Sequence, residues 1–106
     1  MTQVRLRPLA ENDLVEQTRY YASEGGKALG ERFFDAAIAT LDTIGNRPKG
    51  GSLRIGELCE IESLRVRRVK DFPCGWFYFV RDDHVDVVRL LGYAQDLPVE
   101  LSDSLS

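Results

Sequence analysis

Four cations crowd one short stretch: Arg65, Arg67, Arg68 and Lys70 occupy four of six consecutive positions. Guanidinium groups bind carboxylate or phosphate through two parallel hydrogen bonds, so a row of them is an anion-binding surface. In a regular strand Arg65 and Arg67 share one face while Arg68 and Lys70 share the other. One pair must therefore lie toward a covering layer, run along an edge, or escape through a bulge. The competing use is cross-strand pairing with Glu60, Glu62 or Asp86, which is worth little at a surface. Residue types alone leave both uses open.

Arg89 is a further candidate, set in the otherwise apolar run Val87-Val88-Arg89-Leu90-Leu91. An unpaired buried charge is costly. Arg89 therefore either pairs internally, for example with Asp96, or joins the basic face. Tyr93 follows just beyond and can stack, donate a hydrogen bond, or simply pack at the rim. The lone histidine, His84, ends an Arg81-Asp82-Asp83-His84 turn and reads as solvated. No Gly-rich phosphate loop, HExxH, CxxC or Gly-x-Ser-x-Gly is present. Cys59 and Cys74 read as reduced thiols. With one histidine and no second cysteine pair, neither a metal nor any other cofactor is expected.

The charge balance bears on what these groups could meet. The chain carries a net charge of −3 over 106 residues. Residues 47–81 hold eight Lys/Arg against four Asp/Glu, whereas residues 82–106 hold one against six. A basic island thus sits inside an acidic protein. Screening acts over ~10 Å at moderate salt, so such an island acts locally whatever the total. Length and composition indicate one domain over 1–96 with an acidic tail over 97–106, and no second domain. The longest apolar run is far short of a membrane helix and the first residues lack a signal-peptide core, so a cytoplasmic address is expected.

The elements that position these residues follow from hydrophobic period. Gln3 to Arg7 alternates as a half-buried strand, which Pro8 ends. Glu11 and Asp13 suit the start of a helix whose apolar face is Leu14, Val15, Thr18, Tyr21 and Ala22. Ser23-Glu24-Gly25-Gly26 breaks it. A second helix runs from about Lys27 to Ile44, with Leu29, Phe33, Ala37, Leu41 and Ile44 inward, widened by Phe34 and Ile38. Gly45 is placed as its C-terminal cap. Leu53 to Ile55 reads as a short strand, Glu60 to Lys70 as a longer one, and Phe72 to Gly75 as a turn. Trp76 to Val80, apolar on both faces, reads as a central strand next to Val85 to Leu91. The tail fits either a short helix or a loose end. The fold class expected is α+β in the order β-α-α-β-β-β. A helical hairpin covers one face of a mainly antiparallel sheet, leaving the other face free for a partner.

With these pieces in order, the chain resembles the ParE branch of the RelE/ParE toxin superfamily. The resemblance runs through Leu9-Ala10-Glu11-Asn12-Asp13-Leu14, Tyr20-Tyr21, Gly26 to Phe33, and Pro48 with Gly50-Gly51. It continues in Leu64-Arg65, Val69-Lys70-Asp71-Phe72-Pro73, Trp76-Phe77-Tyr78, and Val87 to Asp96. It implies the toxin of a toxin–antitoxin pair, partnered by a ParD-like antitoxin in a hetero-oligomer and acting on DNA gyrase. Sequence-specific nucleic-acid binding is not expected. The partner-binding residues implied are Arg65, Arg67, Arg68, Lys70, Trp76, Arg89, Gln95 and Asp96. The chain departs from the family where the usual ending resembles Leu-His-Gly-x-Arg-Asp. Here Gly92 stands at the histidine position and Gln95 at the arginine position, with Asp96 kept.

Two other uses of the same fold are weighed against a gyrase poison. A RelE-like ribosome-dependent messenger-RNA endonuclease would draw charge from Arg65, Arg67 and Arg89, with Tyr93 as proton-transfer group. A phenol of ordinary pKa, near 10, is a poor base at neutral pH, and the acidic total disfavours ribosomal RNA. A non-toxic antitoxin-binding module is suggested by Gly92 and Gln95. The basic strand reads best as a docking surface for an acidic protein.

Overall fold

The computed structural model describes residues 1–105. The elements are β1 (Gln3–Leu6), α1 (Pro8–Gly25), α2 (Lys27–Asn46), a single 3-10 turn (Pro48–Gly50), α3 (Arg54–Leu58), β2 (Arg65–Arg68), β3 (Cys74–Val80), β4 (His84–Gly92) and α4 (Leu97–Leu105). The strands form one sheet in the order β1-β4-β3-β2. β1 runs parallel to β4, and the other two pairings are antiparallel.

Pro8 opens α1 at a position where its missing N–H needs no acceptor. The hairpin turns at Gly26 alone, whose φ of 90° suits a residue without a side chain. Gly30 lets α1 and α2 approach closely, because a Cβ there would lie 2.8 Å from that of Ala22. The inward stripe of α2 is Gly30, Phe33, Ala37, Thr40 and Ile44. Leu29, Ile38 and Leu41 flank it, and Phe34 turns outward. On α1, Ala10 and Leu14 are buried while Val15 is exposed. Gly45 is not the cap: it lies within the last turn of α2, which ends at Asn46 and is capped by Arg47 before Pro48.

Between the hairpin and the sheet lies the main core, built around Phe33, Ala37, Ile44, Trp76, Tyr78, Val85, Val87 and Leu90. Tyr21, Phe33 and Phe72 stack with ring centroids 4.8–5.0 Å apart. Edge-to-face contacts of this kind add to simple burial.

Three expectations change. Leu53 to Ile55 is not a strand: the Ser52 hydroxyl accepts the Arg54 N–H at 3.1 Å and starts the short α3. The Glu60 to Lys70 strand shrinks to Arg65–Arg68, because Glu60 and Ser63 take φ of 58° and 68°, which no strand accommodates. The second sheet face is not free. A second core of Leu64, Val66, Phe77, Val88, Leu91 and Leu101 lies there, with Ile55, Leu97 and Leu105 packed against it. The acidic tail is thus a helix seated on the sheet, its Leu97, Leu101 and Leu105 falling at i, i+4 and i+8.

β4 carries a bulge at Val88: Phe77 faces Arg89, but Tyr78 faces Val87. Side chains alternate along a strand, so an extra residue reverses their sides beyond it. Without the bulge Arg89 would point with Val85 and Val87 into the hairpin core. With it, Arg89 turns to the α4 side together with Phe77.

Candidate functional site

The basic strand is the sheet's edge, and its cations part company. Arg65 stands opposite Tyr78 and Arg67 opposite Trp76, so both project on the hairpin side. Arg65 donates from Nη1 to the carbonyl oxygens of Lys49 (3.0 Å) and Gly51 (2.9 Å). Its first duty is therefore to tie the 3-10 turn to β2. The Tyr78 hydroxyl reinforces that tie, donating to the Pro48 carbonyl at 2.7 Å and accepting the Gly51 N–H at 3.1 Å. Burial raises the Tyr78 pKa, against the lowering influence of the Gly51 hydrogen bond and of nearby Arg67 and Arg65.

Arg67 lies beside Gly50, and its Nε is buried without a hydrogen-bond partner. Arg68 points to the other side and rests 5.7 Å from the centroid of the Tyr93 ring. Lys70 is exposed at the start of the turn into β3. Neither Arg32, Arg67, Arg68 nor Lys70 forms an ion pair among the described residues. The proposed pairing of the strand with Glu60 and Glu62 does not occur, and Asp86 instead holds Arg7 (2.8 Å) and Arg81 (3.0 Å).

Arg89 does not join the basic face, nor does it pair with Asp96. Its Nε and Nη2 donate to the two Asp13 oxygens at 2.7 and 2.9 Å, and Nη1 reaches Ser104 Oγ (2.9 Å) and Glu100 (3.3 Å). The hydrogen bonds it donates to Asp13 hold the guanidinium pKa above its ordinary value against the opposing effect of burial, and the Asp13 and Glu100 charges add to it. Arg89 is thus held in place by α1 and α4, with its side chain 13% exposed. Trp76, expected among the partner contacts, is fully buried, with Nε1 donating to the Ala37 carbonyl at 3.0 Å. A side chain so placed anchors α2 to the sheet and presents nothing outward.

Gln95 and Asp96 shape the turn into α4. The Gln95 Oε1 accepts the Gly92 N–H at 2.7 Å, and Asp96 Oδ1 accepts the Val99 N–H at 3.3 Å as an N-cap. The Tyr93 hydroxyl lies over Gly75, where a Cβ would come within 2.6 Å of it. Burial is the main cause raising the Tyr93 pKa, partly offset by Arg68. His84 is paired to Asp83 at 2.7 Å in the β3–β4 turn. Cys74 is buried, its thiol pushed up to about 12 by desolvation, and both cysteines are free. No group of ligands able to hold a metal occurs among the described residues. No described helix is long and apolar enough to cross a membrane.

Sequence reasoning missed Asp13, Glu100 and Ser104 as partners of Arg89, and Arg32 as a neighbour of the basic strand. A signal for the tail was present. A strand apolar on both faces, Trp76 to Val80, needs a second cover, and only Leu97, Leu101 and Leu105 supply an unused helical stripe.

An edge strand rich in cations thus borders a sheet that a two-helix hairpin covers on one face. Residues 4–97 match the family described as the ParE toxin of type II toxin-antitoxin systems, parDE. The chain belongs to that family. No curated protein matches it. Among solved structures it resembles a chain of the chromosomal ParDE toxin–antitoxin system from P. aeruginosa, with a TM-score of 0.73 and 14% identity. That match covers 87% of this chain and 96% of the other. The likeness is one of fold.

Proposed function

We propose that this ParE-family toxin poisons DNA gyrase by binding it, and that a ParD-like antitoxin neutralises it in a cytoplasmic complex. The observation that carries a binding role is the engagement of Arg89. Of the cations that an RNA-cleaving centre would draw on, Arg89 is held by Asp13 and Glu100 and Arg65 by the Lys49 and Gly51 carbonyls, and the phenol of Tyr93 has a raised pKa. Gyrase assays test it: purified protein should accumulate cleaved DNA or block supercoiling. No effect at micromolar toxin sinks the reading.

The antitoxin's seat is proposed on the outside of the hairpin. Phe34 is 42% exposed there, beside a groove of about 690 Å³ that also takes in Thr18, Ala22 and Gly30. Apolar side chains of one antitoxin segment fit this groove, and acidic residues of a separate segment meet exposed Arg68 on the other side of the sheet. Arg65 is unsuitable for a charge-reversal test because it holds the 3-10 turn. Phe34→Lys and Arg68→Glu probe the complex without touching the core. Affinity for the antitoxin should fall for both, and unchanged affinity for both refutes the surface.

The endonuclease reading keeps one favourable observation, the Arg68 guanidinium over the Tyr93 ring. Toe-printing on translating ribosomes distinguishes it, since codon-phased cuts would replace the gyrase reading. Growth arrest on induction without antitoxin would dismiss a non-toxic module.

A further inference from the structure

A trough of about 490 Å³ runs between α2 and the strand–turn segment that follows β2. Its floor is formed by Ala36, Ala39 and Thr40, side chains too small to obstruct an incoming chain. Four cations line it: Arg32 from α2, Arg67 from β2 and Lys70 from the turn, with Arg68 at the end of β2 turning its guanidinium away toward Tyr93. The one acid on its rim is Asp71, so the trough is strongly positive in a protein of net charge −3. None of the four cations has an ion-pair partner among the described residues. Arg67 also holds a buried Nε donor with no acceptor, and a buried donor left unpaired is costly.

We propose that this trough takes the phosphodiester backbone of a nucleic acid, independently of base sequence, in the antitoxin-free toxin. Successive phosphates present charge along a line and accept hydrogen bonds from several directions, as cations on both walls of a trough require. The only aromatic group lining it, Phe72, is buried, so nothing there stacks on bases or reads them. An acidic protein segment fits less well. The Ala and Thr floor provides no pocket for the apolar anchors that give protein interfaces their energy. The site does not depend on gyrase being the target.

The test is fluorescence anisotropy of the full chain with short DNA duplexes of unrelated sequence, at about 50 mM salt and upward, where phosphate contacts are strongest. The probing variant is Arg32→Gln/Lys70→Gln, both residues being exposed and outside the core. Lys27→Gln removes a similarly exposed charge elsewhere on α2. Wild type should bind all duplexes alike. The double variant should bind about tenfold more weakly, with the slope of log affinity against log salt reduced by about 2. Lys27→Gln should behave as wild type. The proposal falls if wild type does not bind, if Lys27→Gln loses as much as the double variant, or if polyglutamate binds as tightly as DNA at equal salt.

Discussion

Asp13 and Arg89 lie 76 residues apart in sequence and form a two-toothed ion pair at 2.7 and 2.9 Å. The same carboxylate accepts the Leu90 N–H at 2.9 Å, and Gln17 donates to the Leu90 carbonyl at 2.7 Å. β1 pairs with β4 only as far as Leu6 and Val87. Beyond that point, side chains of α1 take over the hydrogen bonds that a longer β1 would have made. One carboxylate thus joins α1 to the sheet, while Arg89 carries the connection on to Glu100 and Ser104 of α4.

Asp13→Ala should be among the most damaging polar substitutions. It leaves Nε and Nη2 of a largely buried guanidinium and the buried Leu90 N–H without their acceptor. The expected loss is about 3–5 kcal/mol, the range for breaking one side of a buried ion pair. Urea unfolding of Asp13→Ala, Arg89→Ala and the double variant checks it. The double variant should be less destabilised than the two singles summed. Strict additivity would refute the pairing.

Asp86 ties β4 to Arg7 and Arg81. The hydrogen bond from Arg7 is the largest cause of its lowered pKa, with Arg81 adding to it against desolvation. A depressed folded-state pKa gives stability that is present above the unfolded carboxylate value, near ~4, and lost as pH falls through the folded value. Asp86→Asn should therefore cost about 1 kcal/mol at neutral pH. The difference from wild type should shrink as the solution is acidified below the ordinary carboxylate range. Thermal melts across pH measure this, and a gap that widens on acidification would contradict it.

Thiol titration should separate the two cysteines. Cys59 is partly exposed at the end of α3. Cys74 is buried with its pKa near 12, so its reactive thiolate is scarce at neutral pH. A thiol reagent should modify one group rapidly in the native protein and the second only in denaturant. Two equally fast reactions would mean that Cys74 is accessible.

Leu101 is fully buried beneath α4 in the second core. Leu101→Ala should cost about 2–5 kcal/mol, as for other buried leucines. Val99→Ala, on the exposed side of the same helix, should change stability little. Equal effects would mean that α4 is not seated on the sheet.

Periodicity and turn chemistry are local properties, and they made the hairpin, β1 and the β3–β4 pair legible in the sequence. Pro8, Gly26 and the Arg81-Asp82-Asp83 turn mark those boundaries whatever surrounds them. The basic strand was equally visible as four cations in six positions. Its division was not, because the side each cation takes depends on where β2 pairs and where its outer edge meets the 3-10 turn. Arg89 illustrates the limit most clearly. Its charge and apolar neighbours announced a need for a partner, but a one-residue bulge at Val88 chose the side, and the end of β1 brought Asp13 within reach. Trp76 looked like an outward anchor until α2 closed over it. Composition and period are carried by neighbours along the chain. Pairing, burial and the choice of counter-charge arise only when distant segments meet, and for this protein the tertiary structure alone made those choices.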